Sequence, residues 1–301
     1  MAIPATITRT TADKFIGEVW SDGVLDAVEF AALIQTRCTR EYEGVIKKGG
    51  DTVHVPRLSN LTTGVKAAGV DVSFEAITET EQTLTIATHE YAAFKLESIV
   101  QVQSNYDLMA KYQKKLGYAL ARGREVTLAG LISGLAAGQT LGTLGVELVA
   151  DDFNAAWLLL AQAGLLESSP DPGSDFTLLL SPNAYAGILK TDVFINSDYN
   201  GDSSGKAITR AQVGSIYGAN VFMSNLTKVN GVGHDCALFH RSCFALAVQN
   251  EVPVKAMYII ESLADAVVAH NIYGTTTLSY PPETPGGGAA VANRGVWLKT
   301  V

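Results

Sequence analysis

Apolar side chains recur at three- and four-residue steps through Leu108, Met109, Tyr112, Leu116, Leu120, Leu128, Leu131, Ile132 and Leu135, and this period predicts one long helix. Ser104–Asp107 has the form of a capping box at its start. Some 30 residues at 1.5 Å each make a rod of about 45 Å. Gly117, Gly123, Gly130 and Gly134 weaken it by up to ~1 kcal/mol each, so packing against other elements must hold it. Lys111, Lys114, Lys115, Arg122 and Arg124 are expected along its solvent side.

Before the helix the pattern is different. Residues 1–21 are Thr-rich without clear period and read as an extended arm, followed by a short helix capped by Asp26 and running through Val28, Ala31, Ala32 and Ile34. Gly49–Thr52 is a turn, and Val53–Leu58 alternates like a strand that Pro56 confines to a sheet edge. From about 60 to 90, seven threonines (62, 63, 78, 80, 83, 85 and 88) sit among few large apolar residues, and Thr80–His89 alternates with period two. Neither face of this ribbon looks apolar enough to anchor it, and an unpacked two-stranded ribbon is marginal in water. It is read either as a hairpin lying on the surface or as an arm ordered by a neighbouring copy.

After the helix the signals are mixed α/β. Asp151 or Asp152 caps a helix through Phe153, Trp157, Leu160 and Ala161 to Gly164. A turn at Ser168–Ser174, a buried strand at Phe176–Leu180 and a helix opened by Ser181-Pro182 follow. Then come a polar exposed loop at Asn196–Lys206, a short helix at Thr209–Ile216, a strand at Asn220–Ser224 and one long apolar strand at Asp235–Gln249. Val254–His270 carries strand or strand–helix signals leading into Ile272–Ser279. Pro281–Gly288 is a linker by composition, and the apolar end Gly295–Val301 must dock, on its own chain or on another.

Composition narrows the function. The 301 residues are 47% hydrophobic and 17% charged, a low charge density that points to surface buried against something else. With Lys+Arg 22 against Asp+Glu 30, the net charge of −8 has the wrong sign for gripping nucleic acid through a basic groove. No apolar run is long enough for a membrane span, no secretory signal opens the chain, and three cysteines make no disulfide framework.

Three chemical motifs are weak in context. Gly201-Asp-Ser203-Ser-Gly205 matches a nucleophile elbow but is preceded by polar residues rather than a buried strand. Gly201–Ala207 resembles a phosphate-binding loop one residue short, with Ala207 where a hydroxyl must reach Mg²⁺. His234, Cys236, His240 and Cys243 could ligate zinc, but on one strand Cys236 and His240 face one side and Cys243 the other. No catalytic residue, cofactor or metal is therefore expected.

The order of parts carries more than any motif. Gly49–Pro56 (GGDTVHVP), Leu96–Asn105 (LESIVQVQSN), Ala119–Val126 (ALARGREV), Phe176–Gly187 (FTLLLSPNAYAG) and Val248–Leu278 occur in the order of an extended loop, its exit, a spine helix, an axial lobe and closing strands. Over nearly its whole length the chain resembles the tailed-bacteriophage major capsid proteins with the HK97-type fold. The resemblance implies an α+β architecture in five parts. These are an N-terminal arm with a short helix (1–48), an extended β-loop (49–97), a peripheral domain with the spine helix (98–145 and 251–280), an axial α/β domain (146–250) and a C-terminal extension (281–301). It further implies a coat protein that assembles into hexamers and pentamers of an icosahedral head around double-stranded DNA, made in the host cytoplasm and ending in the virion, with no membrane. Separate scaffolding, portal and decoration proteins would be its partners. The lysine and asparagine that crosslink some family members have no match here. Arg57, Lys66, Glu75, Glu79 and Glu81 on the ribbon are the expected inter-subunit contacts. An encapsulin-type nanocompartment shell and, further off, an α/β hydrolase using Ser203 are the alternatives.

Overall fold

A computed structural model describes residues 32–47, 49–58, 61, 63–72, 74, 76–77, 79–103, 108–162, 175–190, 214–280 and 293–301. The arm, Asp26, the capping box at Ser104–Asp107, Glu75, the turn at Ser168–Ser174, the loop holding Ser203 and the linker at Pro281–Gly288 lie outside them.

Helices α1 (Ile34–Arg37) and α2 (Glu43–Ile46) lead into strand β1 (Thr52–Leu58), which pairs antiparallel with β2 (Glu79–Thr85) as a two-stranded ribbon. Strand β3 (Thr88–Glu97) leads through α3 (Ser98–Gln103) to α4 (Leu108–Leu131). At 24 residues the spine is about 36 Å long, shorter than its apolar period predicts. It gives way to a 3₁₀ turn at Ile132–Gly134, where Ser133 Oγ donates to the Gly130 carbonyl and Leu135 becomes extended. Lys114 and Arg122 are exposed as expected, whereas Lys111, Lys115 and Arg124 are half-buried.

Beyond it come β4 (Thr140–Gly142), α5 (Ala150–Gln162), β5 (Phe176–Leu180), α6 (Pro182–Ile188), β6 (Ser215–Ile216), β7 (Ala219–Met223), β8 (Val229–Asn230), β9 (Gly233–His240), β10 (Phe244–Ile259), β11 (Ala264–Thr277) and β12 (Gly295–Thr300). Asp152 Oδ2 accepts from the Val149 N–H at the start of α5 (3.0 Å), and Ser181 Oγ accepts from Ala184 N–H at that of α6. The predicted helix over Thr209–Ile216 is not present at its described end, because Ser215 and Ile216 pair with β7.

A seven-stranded sheet runs β4-β12-β9-β5-β7-β6, with β8 added to β9. Alternation places Phe176, Leu178 and Leu180 of β5, with Cys236 and Leu238 of β9, against α5 and α6. Leu179, Ala237 and Phe239 face the other way, onto the C-terminal end of α4 with Leu128, Ile132 and Leu135. The terminal apolar stretch docks within its own chain: β12 runs antiparallel to β9 and parallel to β4.

The long strand expected over Asp235–Gln249 is two strands. Arg241–Cys243 form a 3₁₀ turn capped by His240 Nδ1, which accepts from the Ser242 N–H, and the chain passes there from the seven-stranded sheet to a three-stranded one, β10-β11-β3. Burial, and secondarily Arg294, lowers the pKa of His240 from 6.5, which favours the neutral ring that this cap needs. Leu116 of α4 packs over this second sheet on Val267 and Ala269.

The ribbon is anchored at its base, contrary to its threonine-rich appearance. Leu84, Val53 and Ile86 are buried with Ile46, Ala245, Ala247 and Leu278. Gln82 Nε2 donates to the Thr277 carbonyl (2.6 Å) and Gln82 Oε1 accepts from Ser279 N–H (3.0 Å). Three well-placed apolar side chains, at roughly 1.5–3 kcal/mol each, suffice to seat the base although β2 is otherwise polar.

Candidate assembly surfaces

Beyond that base the loop joining β1 to β2 bares apolar side chains to water. Phe74 is 96% exposed and Val65 fully so, with Leu61, Val70, Val72 and Ile77 also exposed. Each is a large apolar group without packing, and several together on one projection mark a contact surface.

The expected charged contacts divide into two kinds. Arg57 is half-buried and its Nη1 donates to Ser279 Oγ (3.0 Å), so it fastens the ribbon to its own chain. Glu81 Oε2 lies 3.1 Å from His54 Nδ1 across the ribbon, both side chains exposed. Lys66 and Glu79 are exposed and enter no ion pair among the described residues.

A second apolar surface, missed in the sequence, lies at the tip of the β10–β11 hairpin. Met257, Ile260 and Leu263 are exposed there, and Ile99 and Val102 of α3 are exposed nearby. The Leu263 carbonyl accepts from both the N–H (3.0 Å) and the hydroxyl (2.9 Å) of Ser98, which ties α3 to the tip. The apolar run Met257–Ile260 ahead of a turn was the available signal.

The cysteines of the candidate zinc motif do not converge. Cys236 and Cys243 sit in clusters on opposite faces of the sheet, and no group of three or more His, Cys, Asp or Glu among the described residues could hold a metal. Burial pushes the Cys38 thiol up to about 12 and that of Cys236 to about 11, and raises Cys243 further. A disulfide reagent at mildly alkaline pH is therefore expected to leave all three thiols unreacted in the folded chain and to label all three in denaturant. Fast native labelling would contradict the burial.

A family model described as phage capsid protein matches residues 34–279, most of the chain. The chain belongs to the phage capsid protein family. Among solved structures, this capsid protein is similar to one from Mycobacterium phage Che8 at 22% identity, covering 94% of this chain and 97% of that one with a TM-score of 0.74. The capsid structure of the cyanophage P-SCSP1u aligns at 15% identity over 97% and 94% of the two chains, TM-score 0.70. The mature capsid of bacteriophage PhiM1 aligns at 12% identity over 95% and 92%, TM-score 0.69. No curated protein sequence matches the chain. The HK97-type α+β fold is the one this capsid protein adopts. It is a major capsid protein, a structural component of the virion.

Proposed function

We propose that copies of this chain tile an icosahedral head as hexamers and pentamers, with the β1–β2 loop of each laid over a neighbour. The observation that carries this reading is the loop itself, anchored at Leu84 and bare at Val65 and Phe74. An apolar projection of that kind is costly in an isolated monomer and is buried by a second copy. Lys66, Glu75, Glu79 and Glu81 would set its register by charge, and many modest contacts multiplied by closed symmetry would hold the shell. The net charge of −8 suits a wall that holds double-stranded DNA by enclosure rather than by a basic groove. The subunit, made in the host cytoplasm, works without a catalytic step, and scaffolding, portal and decoration proteins would be separate chains.

Negative-stain electron microscopy of the purified protein is expected to show closed shells or five- and six-fold rings. Glu79→Lys and Glu81→Lys are expected to cut the yield of such particles severely while leaving the far-UV circular dichroism and unfolding temperature of the subunit nearly unchanged. Normal shells from both variants would remove these carboxylates from the assembly contacts.

A further inference from the structure

His89 on β3 and His270 on β11 lie diagonally across adjacent strands, His89 opposite Ile272 and His270 opposite Tyr91. His89 Nε2 and His270 Nδ1 are 3.2 Å apart, with ring centroids 5.0 Å apart and planes inclined at 69°. His89 is exposed and His270 half-buried. At this separation one ring donates an N–H to the other. The same separation is also a chelate bite. Two nitrogens each about 2.0–2.1 Å from a tetrahedral ion stand roughly 3.3–3.4 Å apart, and at a right angle about 2.9 Å.

The platform beneath the pair is stiff. β11 is the middle strand of its sheet, hydrogen-bonded to β10 on one side and β3 on the other, so both Cα positions are fixed before any ion arrives. Glu90, the next residue on β3, points to the opposite face, where its carboxylate crowds Gly123 of the spine helix. It therefore does not supply a hard oxygen to the pair. Tyr91 on the histidine side is 74% exposed, and His89 itself is exposed to water.

We propose that His89 and His270 form a two-imidazole chelate for a borderline divalent ion, Zn²⁺, Ni²⁺ or Cu²⁺, with water completing the coordination. Two neutral imidazoles without carboxylate select such ions over Mg²⁺ and Ca²⁺. The ion staples β3 to β11, joining residues 181 positions apart in sequence.

The test uses the untagged full chain and Cu²⁺ or Zn²⁺ as probe. Titration calorimetry is expected to give one ion per chain, the Cu²⁺ electron paramagnetic resonance spectrum should carry nitrogen hyperfine structure, and Zn²⁺ should raise the unfolding temperature. His89→Gln and His270→Gln should each weaken binding by about tenfold or more and abolish the thermal shift. His54→Gln should do neither, and excess Mg²⁺ should not displace the ion. Absence of saturable binding at millimolar metal overturns the proposal, as does an affinity in His89→Gln or His270→Gln equal to that of the unsubstituted chain.

Discussion

Replacing Gly274 by alanine is expected to be among the most disruptive single changes in this subunit, lowering its stability by about 3 kcal/mol. Gly274 sits on β11 where the backbone carbonyl of Thr85 crosses it, and an added methyl would fall well inside van der Waals contact of that oxygen, with Ile86 Cδ1 only 2.8 Å away. A backbone atom cannot swing aside as a side-chain tip can. Relief requires moving the end of β2, and with it the buried Leu84 and Ile86 that seat the ribbon. Thermal unfolding should show a drop of several degrees, and hydrogen exchange should show faster exchange at Leu84 and Ile86 first. Gly117→Ala is the control: a methyl there meets nothing within 4 Å, and in mid-helix it should stabilise by about 0.5–1 kcal/mol. Equal effects of the two substitutions would mean that close approach at Gly274 is not what limits it.

Glu125→Ala is expected to cost a similar amount, about 3 kcal/mol, by a different route. Glu125 lies buried on the spine helix. Its Oε1 accepts from the backbone N–H of Leu33 (2.8 Å) and of Ile34 (2.6 Å), and its Oε2 from that of Gln35 (3.3 Å). These are the orphan donors at the start of α1, satisfied by a carboxylate from 90 or more residues away rather than by a local cap. Gln35 answers by donating its side-chain amide to the Ala121 carbonyl (2.7 Å). Alanine leaves three donors without an acceptor. Glutamine keeps the shape and one acceptor oxygen, which can still serve Leu33 and Ile34, so about half of the loss is expected. Denaturant melts of the two variants, with amide exchange read at residues 33–35, would test this ordering. An alanine variant as stable as glutamine would show that water replaces the carboxylate.

Elements that carry their own period were legible in the sequence. The apolar steps from Leu108 to Leu131 gave the spine, and the unbroken run Phe176–Leu180 gave a strand buried on both faces. What a local pattern lacks is the identity of the partner. Leu84 looked isolated among threonines because the residues that cover it, Ala245, Ala247 and Leu278, are small or far along the chain. Nothing in the pattern around Glu125 marks its role, since the three amides it serves lie on another element. The break at Arg241–Cys243 was hidden because the residues on both sides are buried and apolar, one strand in each of two sheets. Among the proposed contacts, the distinction between Arg57, turned inward to Ser279, and Lys66, left in solvent, depends on where β11 ends and not on the residues near either.

The position of β12 has a consequence for the timing of subunit production. Among the described residues β4 reaches the seven-stranded sheet only through β12, and β12 follows β9 in the chain by more than fifty residues. A nascent chain stopped anywhere before Gly295 would leave the β9 edge open and β4 unattached, with Val296 and Leu298 missing from the core against α5. Synthesis must therefore pass this strand before the lobe can close. A prematurely terminated copy carries a recognisable defect, an unpaired sheet edge, that could exclude it before it enters a growing lattice.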